Sequence, residues 1–373
     1  MPKFSAPSHL LHKVQKPVTI FFALFFFWAL QTNAQTTWYS RTNVTFSNFA
    51  DIAAWTDNPS GTGGNNPSSA NVFTSGTDNF VVLSGTTREI NSPVTIRSLT
   101  VAGTVEGSSG SLTLNGNLIN NGTFEIGVLL NFTGADNASV GGANTIAVSA
   151  TITVNKSSGA TLTLGANTIT ISGNLNSISI QGGNFVAGSG TIELDGGADL
   201  TINTSGTVDF TTNQSQIDVV GPGTTVITSN QDINFHNIRN SKSSGGLNFT
   251  GNGGTRDFRI RGTYTRASNN TASSIGMLMN ATFGYDGDEA TLEYAATNGN
   301  TTIGNEFVTA SGREPRNLTI NVGSNTVSGS TSYTVPRNLT LTSGTIDLGT
   351  NTLTVSGNIT GSTVAGSGKI ADA

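Results

Sequence analysis

Pro315-Arg316-Asn317-Leu318-Thr319-Ile320 returns 21 residues later as Pro336-Arg337-Asn338-Leu339-Thr340-Leu341. A period of about 20 to 30 residues is too short for an independent domain. It suits one coil of a stacked solenoid, where each unit buries its apolar side against its neighbours.

Working outward, short alternating runs fill the chain. Phe80-Val81-Val82-Leu83, Leu99-Thr100-Val101, Ser111-Leu112-Thr113-Leu114, Thr151-Ile152-Thr153-Val154, Thr161-Leu162-Thr163-Leu164 and Thr168-Ile169-Thr170-Ile171 each set aliphatic residues on one face and polar ones on the other. Between them recur Gly-Thr-apolar, at Gly103, Gly122, Gly190, Gly206 and Gly344, and Gly-Asn-aliphatic, at Gly116, Gly173 and Gly357. Gly and Asn tolerate positive φ and can turn a corner between short strands. The expected fold is all-β: a right-handed parallel β-solenoid with an N-terminal cap. The rival is a β-sandwich, whose strands are longer and whose turn signals are further apart, at roughly 8 to 12 residues. Asn at inward-facing corners is expected to form an amide ladder from coil to coil.

Composition agrees. Of 373 residues 46 are Gly, only 10% are charged and none is Cys. Such a surface must be mostly Thr, Ser, Asn and Gly, which disfavour helix interiors. Regularly placed aliphatic residues argue against disorder. The chain is net −5, and the three lysines of residues 1–34 meet no acid there, so the remainder is net −8. This weighs against nucleic acid as a partner. The absence of Cys excludes disulfides, thiolate metal sites and Cys nucleophiles.

Residues 1–34 read as a signal peptide. Lys3, Lys13 and Lys16 precede an apolar run from Val18 to Leu30, and Thr32-Asn33-Ala34 supplies a small-residue cleavage pattern before Gln35. The run is too short to anchor the chain, so no membrane span is expected in the mature chain, which would be secreted or held on the outer cell surface. Residues 35–79 are expected to cap the first coil, 80–234 to form solenoid coils, 235–316 a more charged segment or insertion, and 317–373 further repeat coils, truncated at the C-terminus.

Chemistry-bearing residues are few. His236 is the one histidine after residue 34, so a catalytic triad could form only around it, and a multi-histidine metal site is excluded. Trp38, Tyr39 and Trp55 could stack on sugar rings or plug the end of the solenoid. Arg256, Arg259, Arg261 and Arg266 could meet an acidic glycan, with Arg259 and Arg261 on one face. Asp286-Gly287-Asp288-Glu289 could hold Ca²⁺ through hard oxygen ligands, or be an exposed turn; it lacks an EF-hand pattern. No other cofactor is expected. Asp195, Asp199 and Asp209 are scattered among turns. The pairs Thr151/Thr153, Thr161/Thr163, Thr168/Thr170 and Thr352/Thr354 resemble the threonine arrays of ice-binding β-solenoids, but their uneven intervals suit ordinary exposed strand positions.

The signal ending in Asn33-Ala34-Gln35, Trp38-Tyr39-Ser40 with Trp55-Thr56, Thr291-Leu292-Glu293-Tyr294 before the 315–320 unit, and Leu339-Thr340-Leu341-Thr342-Ser343-Gly344-Thr345-Ile346 with Asn351-Thr352-Leu353-Thr354-Val355 together resemble repetitive regions of large secreted surface proteins of Bacteroidetes. Those proteins are similar to adhesin-like parallel β-helices and often end in a sorting domain read by the type IX secretion system. The resemblance is one of repeat texture and transfers no residue roles. It implies a structural, adhesin-like stalk or display scaffold, monomeric or part of a longer chain, whose partner is an extracellular glycan or another surface protein. The alternative is a polysaccharide-binding or polysaccharide-degrading β-helix, with the acidic turn and the arginines lining a groove. No sorting domain follows Ala373, so the anchoring is left open.

Overall fold

The computed structural model describes residues 35–44, 46–173, 175–269, 275–361, 364–365 and 369–372. The expected signal peptide lies outside them. Parallel strands stack into a β-solenoid of about 13 turns. The first sheet has nine strands, from Thr37–Ser40 to Val208–Asp209, closed at its start by the antiparallel pairing of Ser40 with Trp55. The long sheet has sixteen strands and runs from Phe46–Asn48 to Ile359–Gly361. The third sheet has nine, from Pro93–Ile96 to Ile275–Met277. Two three-stranded sheets follow later in the chain: Ile233–Phe235, Arg256–Ile260 and Ala281–Tyr285, then Tyr333–Val335, Thr352–Val355 and Lys369–Asp372. In-register parallel stacking excludes the sandwich.

Alternation decides which residues stack. Along the long sheet Val105, Phe124, Ile146, Ile169, Ile192, Ile217, Ile238, Tyr264, Leu292, Leu318 and Leu339 stand one above another and are buried. The repeat of residues 315–320 at 336–341 is this stacking, Leu318 lying over Leu339 and Ile320 over Leu341. Coil length varies, as the side chains that bond from one coil to the next record: Ser98 and Asn117 are 19 residues apart, Thr265 and Glu293 28, and Asn317 and Asn338 21. The charged segment 235–316 therefore consists of widened coils that keep their place in the long sheet.

The Gly-Thr corners are dictated by closeness more than by positive φ. A Cβ on Gly122 would collide with the Gly103 carbonyl of the coil before it, and one on Gly190 with the Asn167 carbonyl. The amide ladder exists but runs outside, where Asn338 and Asn358 are exposed. The buried Asn120 and Asn167 instead donate to the backbone carbonyls of Thr145 and Asn144. An inward amide has no water, so it must find a carbonyl nearby.

Both lysines of residues 35–361 are buried. Lys156 Nζ donates to the carbonyls of Asn115 (2.8 Å) and Thr133, and Lys242 Nζ to that of Val220 (3.1 Å). Burial lowers the pKa of each.

Candidate functional site

The aromatic residues of the first coil form its plug. Trp55 is fully buried, donates Nε1–H to the Phe49 carbonyl at 2.8 Å, and packs against Phe49 and Phe80 at centroid distances of 4.9 and 4.8 Å. Arg88 lies 5.5 Å from the Trp55 ring and donates to the carbonyls of Val44, Thr87, Arg41 and Ala54. Burial pulls its pKa down to about 10. Trp38 is 9% exposed. The sugar-stacking expectation for Trp38 and Trp55 is thus corrected: neither ring offers a free face, because an open solenoid end needs apolar cover. Tyr39 is half-buried and has no aromatic partner among the described residues.

The arginines and the acidic turn are joined to one another. Asp257 receives a bidentate pair from Arg313 (2.8 and 2.9 Å) and a bond from Arg259 Nε at 2.8 Å. Arg259 also donates to the carbonyls of Tyr285 and Gly312. Arg261 binds Asp286 at 3.0 Å, and Arg337 binds Asp288 at 2.6 Å. Glu289 lies exposed in the same turn. In the turn expected to offer Ca²⁺ ligands, two of the three carboxylates are thus held by arginines from different coils. Among the described residues no group of three or more His, Asp or Glu is arranged to hold a metal ion. The glycan expectation for Arg259 and Arg261 meets the same obstacle, since their donors are engaged by Asp257 and Asp286. Arg266 points inward, 1% exposed, against Glu306 at 2.6 Å.

The remaining candidates stand apart. His236 is half-buried with its pKa lowered by burial, and no carboxylate among the described residues faces it. Asp209 is pushed up by burial, but bonds from the side chains and backbone N–H groups of Thr211 and Thr212 pull its pKa down to about 2. Burial raises Asp199, which accepts from Val226 N–H at 2.7 Å. Of the quoted threonine pairs, Thr153 is on the third sheet, Thr163 on the first and Thr170 on the long one, so they form no array. What aligns is a single file on the third sheet: Thr95, Thr113, Asn131, Thr153, Ser179, Thr201, Thr228 and Thr250.

The arrangement missed by sequence reading is an outward column of the long sheet. Glu89, Glu106 and Glu125 are in register on consecutive coils, and Glu193, Asp218, Arg239, Thr265 and Glu293 occupy the same column further on. A groove of about 390 Å³ is lined by the first three glutamates with Thr104, Thr123 and Gly107. None of these three carboxylates has an ion-pair or hydrogen-bond partner among the described residues. The signal was one residue beyond the motif already recognised: Gly103-Thr-Val-Glu106, Gly122-Thr-Phe-Glu125 and Gly190-Thr-Ile-Glu193 each end in an acid. Further on, Asp218 accepts from Gln216 at 2.7 Å and Glu293 from Thr265 at 3.0 Å.

No helix among the described residues is long and apolar enough to cross a membrane. No family model matches the chain, and neither the curated proteins nor the solved structures include a significant match.

Proposed function

We propose that this chain is a secreted or surface-exposed scaffold, an adhesin-like β-solenoid that holds a partner-binding part away from the cell. The observation that carries the reading is the unbroken long sheet, whose fourteen-strand path at about 4.8 Å per strand gives a rod of roughly 60 Å. A sheet that stays paired from coil to coil, in a chain with few charges, suits a stiff, protease-resistant stalk. Of the candidate side chains at 256–289, Arg259, Arg261, Arg266, Asp286 and Asp288 are engaged in ion pairs, which also favours scaffold over catalyst. An antibody raised against residues 80–234 should label intact, unpermeabilised source cells or their medium. Confinement of the protein to the cytosolic fraction would remove the reading.

A second reading is supported by the glutamate groove. Adjacent in-register carboxylates stand at about the strand spacing, close to the roughly 5–5.5 Å that retaining glycosidases use. A polysaccharide-degrading or polysaccharide-binding protein would then work at Glu89, Glu106 and Glu125. It predicts turnover or binding of a polysaccharide that Glu106→Gln abolishes; an inert wild-type chain across a broad glycan panel would dismiss it.

A further inference from the structure

The stack is not equally tied together along its length. The third sheet ends at Ile275–Met277, the first three-stranded sheet ends at Ala281–Tyr285, and the last begins only at Tyr333–Val335. The coil between, residues 295–316, contributes one two-residue strand, Thr301–Thr302, paired with Val327–Ser328. Among the described residues only the long sheet crosses this level with a full strand pairing, Thr291–Tyr294 on Asn317–Ile320.

The filling of this coil is also unusual. Arg266 and Glu306 make the one fully buried ion pair among the described residues. Glu306 Oε1 further accepts from Tyr294 OH and Gly304 N–H, both at 3.0 Å, and the Glu306 carbonyl from Tyr285 OH at 2.8 Å. Glu306 Oε2 is sealed from solvent with no hydrogen-bond partner. Phe307 reaches the following coils through Tyr333, ring centroids 4.7 Å apart. Beside the buried Ala296, Ile303 and Phe307, this coil holds a charge pair that must stay complete, because a lone buried charge is strongly unfavourable. Stability in a solenoid is close to a sum over neighbouring units, so one weak level can uncouple the units on either side.

We infer that residues 295–316 are a built-in break point, at which the coils from Asn317 onward detach as a unit while the coils from Thr37 to Tyr294 stay folded. The inference concerns the mechanics of the rod and holds whether or not the chain is an adhesin.

The test uses the full chain carrying Trp28→Phe, so that its remaining tryptophans, Trp38 and Trp55, report only on the first coil. Urea unfolding is followed by tryptophan emission and by far-UV circular dichroism. Dichroism should lose part of its amplitude at lower urea than the emission change. Glu306→Gln should move that early step further down and leave the emission midpoint in place. Hydrogen exchange of the wild-type chain should show faster exchange from residue 295 onward than in 80–234. Coincident transitions in the wild type, or Glu306→Gln shifting both probes together, would overturn the inference, as would uniform exchange protection across residue 295.

Discussion

Oδ1 of Asn317 accepts from both the backbone N–H (3.3 Å) and the side-chain Nδ2 (3.1 Å) of Asn338 one coil further on. Asn338 passes the pattern along, its own Oδ1 accepting from Asn358 N–H at 3.1 Å. Each amide donates in one direction and accepts from the other, which a carboxylate cannot do. Asn338→Asp should therefore destabilise more than Asn338→Ala, which should cost about 0.5–1 kcal/mol for a solvent-facing hydrogen bond. Denaturant midpoints of the two variants would check the order.

Trp55 fills the end of the apolar interior. Trp55→Ala should cost about 3–5 kcal/mol through the cavity it leaves, and should loosen the Arg88 guanidinium above it. Because both Trp38 and Trp55 are buried, acrylamide should quench the emission of a Trp28→Phe chain poorly, and added saccharides should not shift it.

Asp257 is shared by Arg313 and Arg259, and all three side chains are mostly covered. Asp257→Ala leaves two guanidinium groups facing each other. The expected loss is about 1–3 kcal/mol, in the range of hydrogen bonds to charged groups, and it should persist in high salt, where exposed pairs fade. Denaturation at two ionic strengths distinguishes the cases.

Glu89, Glu106 and Glu125 repel one another directly across parallel strands. Glu106→Gln should raise stability by a few tenths of a kcal/mol to about 1 kcal/mol, and the gain should shrink as sodium chloride is added. A loss of stability in Glu106→Gln would mean that these carboxylates have stabilising partners.

Tyr264, Tyr285 and Tyr294 are buried around Glu306, and burial raises each phenol well above its usual pKa of about 10. Their neutral forms are favoured by the fold, so their contribution is complete below about pH 10 and is lost as pH rises beyond it. Tyrosinate absorbance for these three should therefore appear together with the loss of β-structure. Ionisation of every tyrosine in the chain with the dichroism unchanged would refute this.

The solenoid was legible because its cause is local. Alternation in Thr161-Leu162-Thr163-Leu164 fixes which side chains face inward whatever the partner strand is, and the return of one phrase at so short an interval can only be a coil. Three things were not legible. Trp55 reads as a plug with a binding platform as the alternative, and only the position of Phe49, Phe73 and Phe80 around it decides. Arg261 and Asp286 are 25 residues apart, and their pairing depends on the length of a widened coil that no local pattern sets. Arg266 continues the alternation of Thr263-Tyr264-Thr265, so its inward direction could be read, but its partner Glu306, 40 residues on, could not. The glutamate column was readable in principle, since a fixed offset from the Gly-Thr corner places each acid on the same line of the sheet.

The two buried lysines bear on how the protein can be handled. From residue 35 to 361 no lysine amine reaches the surface, so succinimidyl esters and amine cross-linkers will find no lysine target along these coils. Coupling by such chemistry will leave the flanks of these coils unmodified.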